Sequence, residues 1–419
     1  MNLIKTSFLN AIAVIVKMLA LLGINKLLAI YVGPVGYATV GQFQNVIQFV
    51  TTFGTGAINT GVTKYTAEYR NDIDEQITLW KTAGSIVLIS SFFLAILLFT
   101  FKDYLSNYLL HDDNYSSVFI FLALSLPFLA LNTLFLAILN GKKEIKSFVI
   151  ANIFGSILSI FAVYLLTVRL NLLGVLIALS TYQSFSFFIT CLICRKYDWF
   201  TIKNISGSID KKQANNLFKY SCMALVSAAT VPLSQVAVRW VLINHIDSTH
   251  AGYWEAMWRL SSAYLMFITT TLGVYYLPRI SEVGNYNEIK KEILVGYKLI
   301  LPAVSLASLG VYLFRFPIVD ILFTSQFYGM IDLFPYQLLG DLFKVGSWLL
   351  AFVMLSRAMV LEYIITQIIC TISFPVLTYI IIGHVGFEGV AIAHFLNYSI
   401  YWVLVAYVIN KRLRVGRSL

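Results

Sequence analysis

The stretch KTAGSIVLISSFFLAILLFTF, residues 81–101, carries no charge after its first lysine and is apolar for about 20 positions. At 1.5 Å of rise per residue, a helix of that length spans ~30 Å, the thickness of a bilayer's hydrocarbon. The same signature recurs along the whole chain. Spans are predicted near 8–31, 37–62, 81–101, 115–139, 147–168 and 171–194, then near 217–243, 252–278, 293–314, 331–356, 360–382 and 387–410. The first is read as a retained membrane helix rather than a cleaved signal, because its apolar run continues to about Tyr31 without a small-residue cleavage site. Twelve spans with short connections fill the 419 residues and leave no sizeable soluble domain.

Composition agrees. Residues AVILMFWYC make up 59% of the chain and charged residues 12%, against roughly 45–50% and ~25% in soluble domains. The net charge of +10 is read as membrane topology, not as a nucleic-acid footprint. Of the 30 Lys and Arg, 21 fall on one set of connections, counting Lys81 and Lys219 at the very starts of their spans, 3 on the alternate set, and 6 inside spans. Positive residues collect on the cytoplasmic side, so both termini are expected there. The four cysteines, Cys191, Cys194, Cys222 and Cys370, lie in apolar stretches and suggest no disulfide framework.

Arg195 to Lys219 is the longest polar stretch. It divides the chain into an N-terminal six-helix lobe (1–195), a cytoplasmic linker (196–216), a second six-helix lobe (217–410) and a basic tail (411–419). LIKTS at Leu3–Ser7 recurs as LFKYS at Leu217–Ser221, and Gly36–Tyr37 recur as Gly252–Tyr253. Repeats six spans apart share one orientation, which suits two lobes around a central cavity.

Lys17, Lys26, Arg239, Arg259, Lys298 and Lys344 fall inside spans. Lys26, Arg239 and Lys298 are near enough to span ends to snorkel. Lys17 and Lys344 sit near the midplane, where a bare charge costs at least ~2.5–3.5 kcal/mol, so they are expected to face a cavity or a partner. Asp341 precedes Lys344 by three residues and Glu255 precedes Arg259 by four, spacings that place each pair on one helical face. A polar stripe, Gln42, Asn45, Gln48, Thr52, Thr55 and Asn59, runs at steps of three and four along the second span. Trp258 lies beside the Glu255 face, and His394, Asn397, Tyr398 and Tyr401 form another polar face on the twelfth span. Lipid offers such groups no hydrogen bonds, whereas sugars present hydroxyls to amides and C–H faces to rings. No Walker A sequence, HExxH or paired Cys/His metal spacing appears, so no cofactor or metal is expected and any driving force is a gradient.

The stretches NKLLAIYVGPVGYATVGQF (Asn25–Phe43), TGVTKYTAEY (Thr60–Tyr69), YYLPRISE (Tyr275–Glu282) and YQLLGDLFKVGSWLL (Tyr336–Leu350) resemble the Wzx-type lipid-linked oligosaccharide flippases of the MATE-like superfamily, nearest the enterobacterial common antigen branch. That resemblance implies an all-α integral membrane fold, twelve transmembrane helices in two six-helix lobes around a central cationic cavity. It implies an undecaprenyl-pyrophosphate-linked oligosaccharide (O-antigen or common antigen unit) as substrate, turned to the periplasmic leaflet of a Gram-negative inner membrane. Implied partners are the bilayer, the glycan polymerase and the chain-length regulator. Lys17, Lys26, Lys64, Arg239, Arg259 and Lys298 are expected to hold the pyrophosphate. Asp341, Lys344 and Glu255 would form a switch coupled to H⁺ or Na⁺, and Gln42, Asn45, Gln48, Trp258, His394, Asn397 and Tyr398 would line the sugar path. The rival transporter, an ion-coupled exporter of small cationic compounds, calls for an acidic excess in the spans, where basic residues dominate. A membrane glycosyltransferase or polymerase, which is an enzyme, calls for long acidic periplasmic loops that the chain lacks.

Overall fold

A computed structural model gives the fold. It describes the backbone of residues 3–415 except 111, 273–275, 277–278, 281–285 and 358, and the side chains of these except 3–14, 16–17, 219–220, 222–224, 227, 270–271, 286 and 413–415. Among the described residues there is no strand. The main helices are α1 (Leu3–Tyr31), α2 (Gly33–Gly54), α3 (Asn59–Glu68), α4 (Ile73–Thr100), α5 (Ser116–Gly141), α6 (Ile145–Cys194) and α7 (Ile202–Ile205). They continue as α8 (Lys211–His245), α9 (Ser248–Thr271), α10 (Tyr286–Leu313), α11 (Phe334–Ser356), α12 (Val360–Val385) and α13 (Gly389–Val415). Non-helical geometry at Asn171 (φ 50°, ψ −130°) kinks α6 into the two spans expected on either side of residue 170. Six described segments, two of them about 50 residues long, are apolar and long enough to cross a membrane.

Local chemistry sets the boundaries. The Asp72 carboxylate accepts the Glu75 N–H at 3.0 Å, capping α4 eight residues before the span predicted at Lys81. α2 stops at Gly54 instead of running to 62. Positive φ at Gly56 (60°) and Ala57 (52°) turns the chain there, and helix resumes as α3. Thr55 and Asn59 therefore leave the stripe, and Gln42, Asn45, Gln48 and Thr52 remain on one helix.

The contacts divide the chain into two compact units, unit 1 with Met1–Val32 and Thr39–Pro232, and unit 2 with Gly33–Ala38 and Leu233–Leu419. In unit 1, α5 packs along α4, α6 and α3, and α1 packs on α6. Its core joins Leu79, Trp80, Val87, Leu134 and Ile138 to Trp199, Ile205 and Leu217. The predicted linker is thus folded onto the helices of unit 1. In unit 2, α13 packs along α11 and α12, and α10 along α11. Leu265, Val304, Val345, Leu349, Val353 and Val405 form the core there.

Candidate functional site

Unit 2 buries its charge in two connected clusters. In the first, Glu255 on α9 accepts from Arg239 Nη2 on α8 at 2.5 Å and from Arg259 Nε, one turn along its own helix, at 2.8 Å. All three are nearly inaccessible, Arg239 at 1%. Arg259 also lies 5.0 Å from the centroid of the Tyr37 ring, and Arg239 5.7 Å from that of Trp254. Tyr37 reaches Arg259 because the backbone at Gly252 approaches Pro34: a Cβ there would stand 1.8 Å from the Pro34 carbonyl oxygen. The repeat-matched Gly252 is therefore a contact glycine for the first turn of α2.

The second cluster centres on Asp341 of α11. Its Oδ2 accepts the Tyr264 hydroxyl at 2.7 Å, and its Oδ1 lies 3.1 Å from His394 Nε2, where an ionised Asp341 accepts from a proton on Nε2. His394 comes this close because the facing residue is Gly340, where a Cβ would stand 2.3 Å from His394 Cδ2. Nδ1 of His394 is buried and has no partner among the described residues.

The one-turn spacing would join Asp341 to Lys344, but the structure arranges them otherwise. Lys344 Nζ lies over three rings, 4.3 Å from the centroid of Trp258, 5.2 Å from Trp348 and 5.3 Å from Tyr398. Among the described residues no carboxylate oxygen lies within 4.0 Å of it. Tyr264 and His394, arriving from other helices, compete for Asp341 more effectively than a lysine on the same helix. The clusters meet through aromatic contacts, with Trp254 against Trp258 and Trp258 against the His394 ring. Asn397 is engaged nearby, accepting from Ser373 at 2.5 Å and facing Cys370 Sγ at 3.2 Å.

The structure thus brings together Arg239, Glu255, Trp258, Arg259, Asp341, Lys344, His394, Asn397 and Tyr398. Lys298 stands outside this group, exposed on α10. The rest of the expected site belongs to unit 1. Lys26 is half-buried on α1, Lys64 is exposed beside Glu68 at 3.8 Å, and Lys17's side chain lies outside the described residues. On α2, Asn45 is buried, Gln42 half-buried and Gln48 exposed, so the stripe spans both environments. Unit 1 adds Lys142, whose ammonium burial holds below its ordinary pKa, 5.2 Å over the Trp80 ring. Sequence reasoning missed Tyr37, Trp254, Tyr264 and Trp348. Tyr37 alone left a trace, in the repeat.

The family model described as "Polysaccharide biosynthesis protein" matches residues 3–284. A "Lipid III flippase" of Escherichia coli (strain K12) is 28% identical over 404 residues, covering 96% of this chain and 97% of the relative. Among solved structures, an inward-facing "multidrug resistance MATE family transporter of the MOP superfamily" superposes with a TM-score of 0.77 at 15% identity, covering 96% of this chain and 95% of that one. "Lipid II flippase MurJ, inward closed conformation" gives 0.70 at 16% identity, covering 97% and 87%. These likenesses establish a MATE-like, all-helical, multi-pass membrane fold for an apolar chain with charges buried among its helices. With two thirds of its length under one family model, the chain belongs to the polysaccharide biosynthesis protein family.

Proposed function

We propose that this protein is a flippase that carries a polyprenyl-pyrophosphate-linked oligosaccharide across the membrane by alternating access. The observation that carries this reading is the buried basic cluster of unit 2, Arg239, Arg259 and Lys344, within an otherwise apolar helical protein. A pyrophosphate on a lipid bears about two negative charges, and bare transfer through hydrocarbon is prohibitive. Guanidinium and ammonium groups offset that cost through charge-assisted hydrogen bonds, strengthened where the surroundings are poorly polarisable. The polyprenyl tail stays in lipid while the headgroup crosses. The 28% identical relative named a lipid III flippase supports a substrate of this class. An exporter of cationic compounds would need the opposite sign of buried charge.

In this reading Lys17, Lys26, Lys64, Arg239, Arg259 and Lys298 act on the pyrophosphate at successive stages, and the aromatic and amide groups of α2, α9 and α13 meet the sugars. Asp341 carries the coupling ion, H⁺ or Na⁺, with Glu255 holding the arginines in register. The termini are cytoplasmic in a Gram-negative inner membrane, and the glycan polymerase and chain-length regulator receive the product.

The test is deletion of the gene in its native strain, followed by analysis of surface glycans and of lipid-linked intermediates in each leaflet. Loss of one surface polymer, with its lipid-linked unit trapped in the cytoplasmic leaflet, is expected. Intact glycans with altered sensitivity to cationic compounds would reject the flippase. Complementation with Lys17→Ala is expected to leave membrane insertion intact and abolish glycan display. Normal display from that variant would remove Lys17 from the substrate path.

A further inference from the structure

We propose that Lys344 is a further pyrophosphate-binding residue, one that leaves its place among the rings of unit 2 when the substrate arrives, a step that rests on the flippase reading above. Three features of the second cluster carry it. The first is where the ammonium sits: at 4.3–5.3 Å from the centroids of Trp258, Trp348 and Tyr398, it is in direct contact with ring faces, and the charge of Asp341 acts on it only from beyond ion-pair distance. Attraction to rings holds a cation less tightly than a buried carboxylate does, so an arriving anion displaces the rings at low cost.

The second feature is the occupation of both nearby carboxylates. Asp341 gives one oxygen to Tyr264 and the other to His394, and Glu255 gives one to each of two arginines. Without the Tyr264–Asp341–His394 clamp, Asp341 and Lys344 at one-turn spacing would collapse into an ion pair, and the ammonium would be unavailable. Tyr264 and His394 are positioning residues in this scheme, acting on the substrate through Asp341.

The third feature is access. Lys344 is buried at 6% exposure, yet Trp258, Trp348 and Tyr398 are each only half-buried. Each ring of the cage therefore keeps part of its edge uncovered. A four-carbon stem carrying three donors can swing past such an edge, and the vacated rings are placed to stack on the sugar next to the pyrophosphate.

The experiment uses the full-length protein in detergent with undecaprenyl pyrophosphate as probe, read by tryptophan emission and by a binding isotherm at two salt concentrations. Wild type is expected to bind with a change in emission as the ammonium leaves the indoles of Trp258 and Trp348. Lys344→Met is expected to bind at least ~10-fold more weakly, in line with loss of a hydrogen bond to a charged group, and to lose the emission change. Lys344→Arg should keep most of the affinity. Should Lys344→Met fail to fold, wild type still decides, because its emission change must vanish in Trp258→Phe/Trp348→Phe. Binding by Lys344→Met within twofold of wild type, or an emission change that survives the double replacement, overturns the proposal and leaves the flippase reading standing. Absence of binding by wild type overturns both.

Discussion

Replacing Glu255 by alanine is expected to destabilise the protein by about 3–5 kcal/mol, the cost of removing one partner from a buried ion pair. The carboxylate holds Arg239 and Arg259 at 2.5 and 2.8 Å, and neither guanidinium can reach water, at 1% and 5% exposure. Losing it leaves two buried cations facing each other without the charge between them. The measurement is thermal unfolding in detergent, where Glu255→Ala should show a clear drop in midpoint and reduced yield of folded protein. Glu255→Gln keeps the shape and one acceptor but not the charge, and should fall between the variant and wild type. The control is Lys64→Ala, which breaks a 3.8 Å contact between side chains about half exposed, a class worth ~0–1 kcal/mol. A Glu255→Ala midpoint no lower than that of Lys64→Ala would show that the triad contributes little to the fold. Partial recovery on adding Arg239→Met to the Glu255→Met background, with Arg259 still lacking its carboxylate, would identify charge, rather than volume, as the cause.

That triad also marks how far sequence reasoning reaches. Glu255 and Arg259 were legible together because both lie on one helix, four residues apart. Arg239 was legible as a charge near a span end, where snorkelling to the interface was as good an account as burial. Its pairing with Glu255 depends on how α8 packs against α9, which no period within either helix encodes. Asp341 and Lys344 make the point in reverse. Their spacing is that of an ion pair, and the pair is dissolved by Tyr264 and His394, which the chain supplies 77 residues before and 53 after Asp341. The helices themselves were easier to read, since apolar runs of twenty residues admit few folds. Their ends were not. Helix continues through Ile73–Trp80 on the strength of the Asp72 cap, ahead of the apolar run, and it breaks at Gly54 inside the predicted second span because Gly56 and Ala57 adopt positive φ.

The polar stretch after α6 was read as a connector, and its packing leads to the second large effect. Gly84→Leu is expected to undock residues 199–213 from α4. A Cβ at position 84 would stand 1.7 Å from the Ile205 carbonyl oxygen and 2.9 Å from its carbon, a clash with backbone that no rotamer relieves. The contact it would break is one of several. Ser85 Oγ donates to the Gly207 carbonyl at 2.8 Å and accepts the Gly207 N–H at 3.2 Å. Thr82 Oγ1 accepts the Asp210 N–H at 3.1 Å, and Glu75 accepts from Lys212 at 2.9 Å and Gln213 at 2.5 Å. The Glu75 contact raises the Lys212 pKa, though that lysine is fully exposed, and removing it alone should matter little. Removing the Ser85 hydroxyl should cost about 1 kcal/mol. Overpacking at Gly84 adds the loss of the whole interface, including burial of Trp199 and Ile205 in the core of unit 1, and exceeds the ~1–3 kcal/mol of a simple overpacked site. Trypsin reports the difference directly, since Arg195, Lys196, Lys203, Lys211 and Lys212 flank or occupy the docked segment. Cleavage within it should be slow in wild type, slightly faster in Ser85→Ala and much faster in Gly84→Leu. Equal rates in all three would mean that the segment is held by its ends alone. Because this segment precedes the helix that carries Arg239, its docking fixes the start of α8 on unit 1, and any movement of Arg239 during transport has to arise beyond that anchor, where Pro232 removes a backbone donor from the helix.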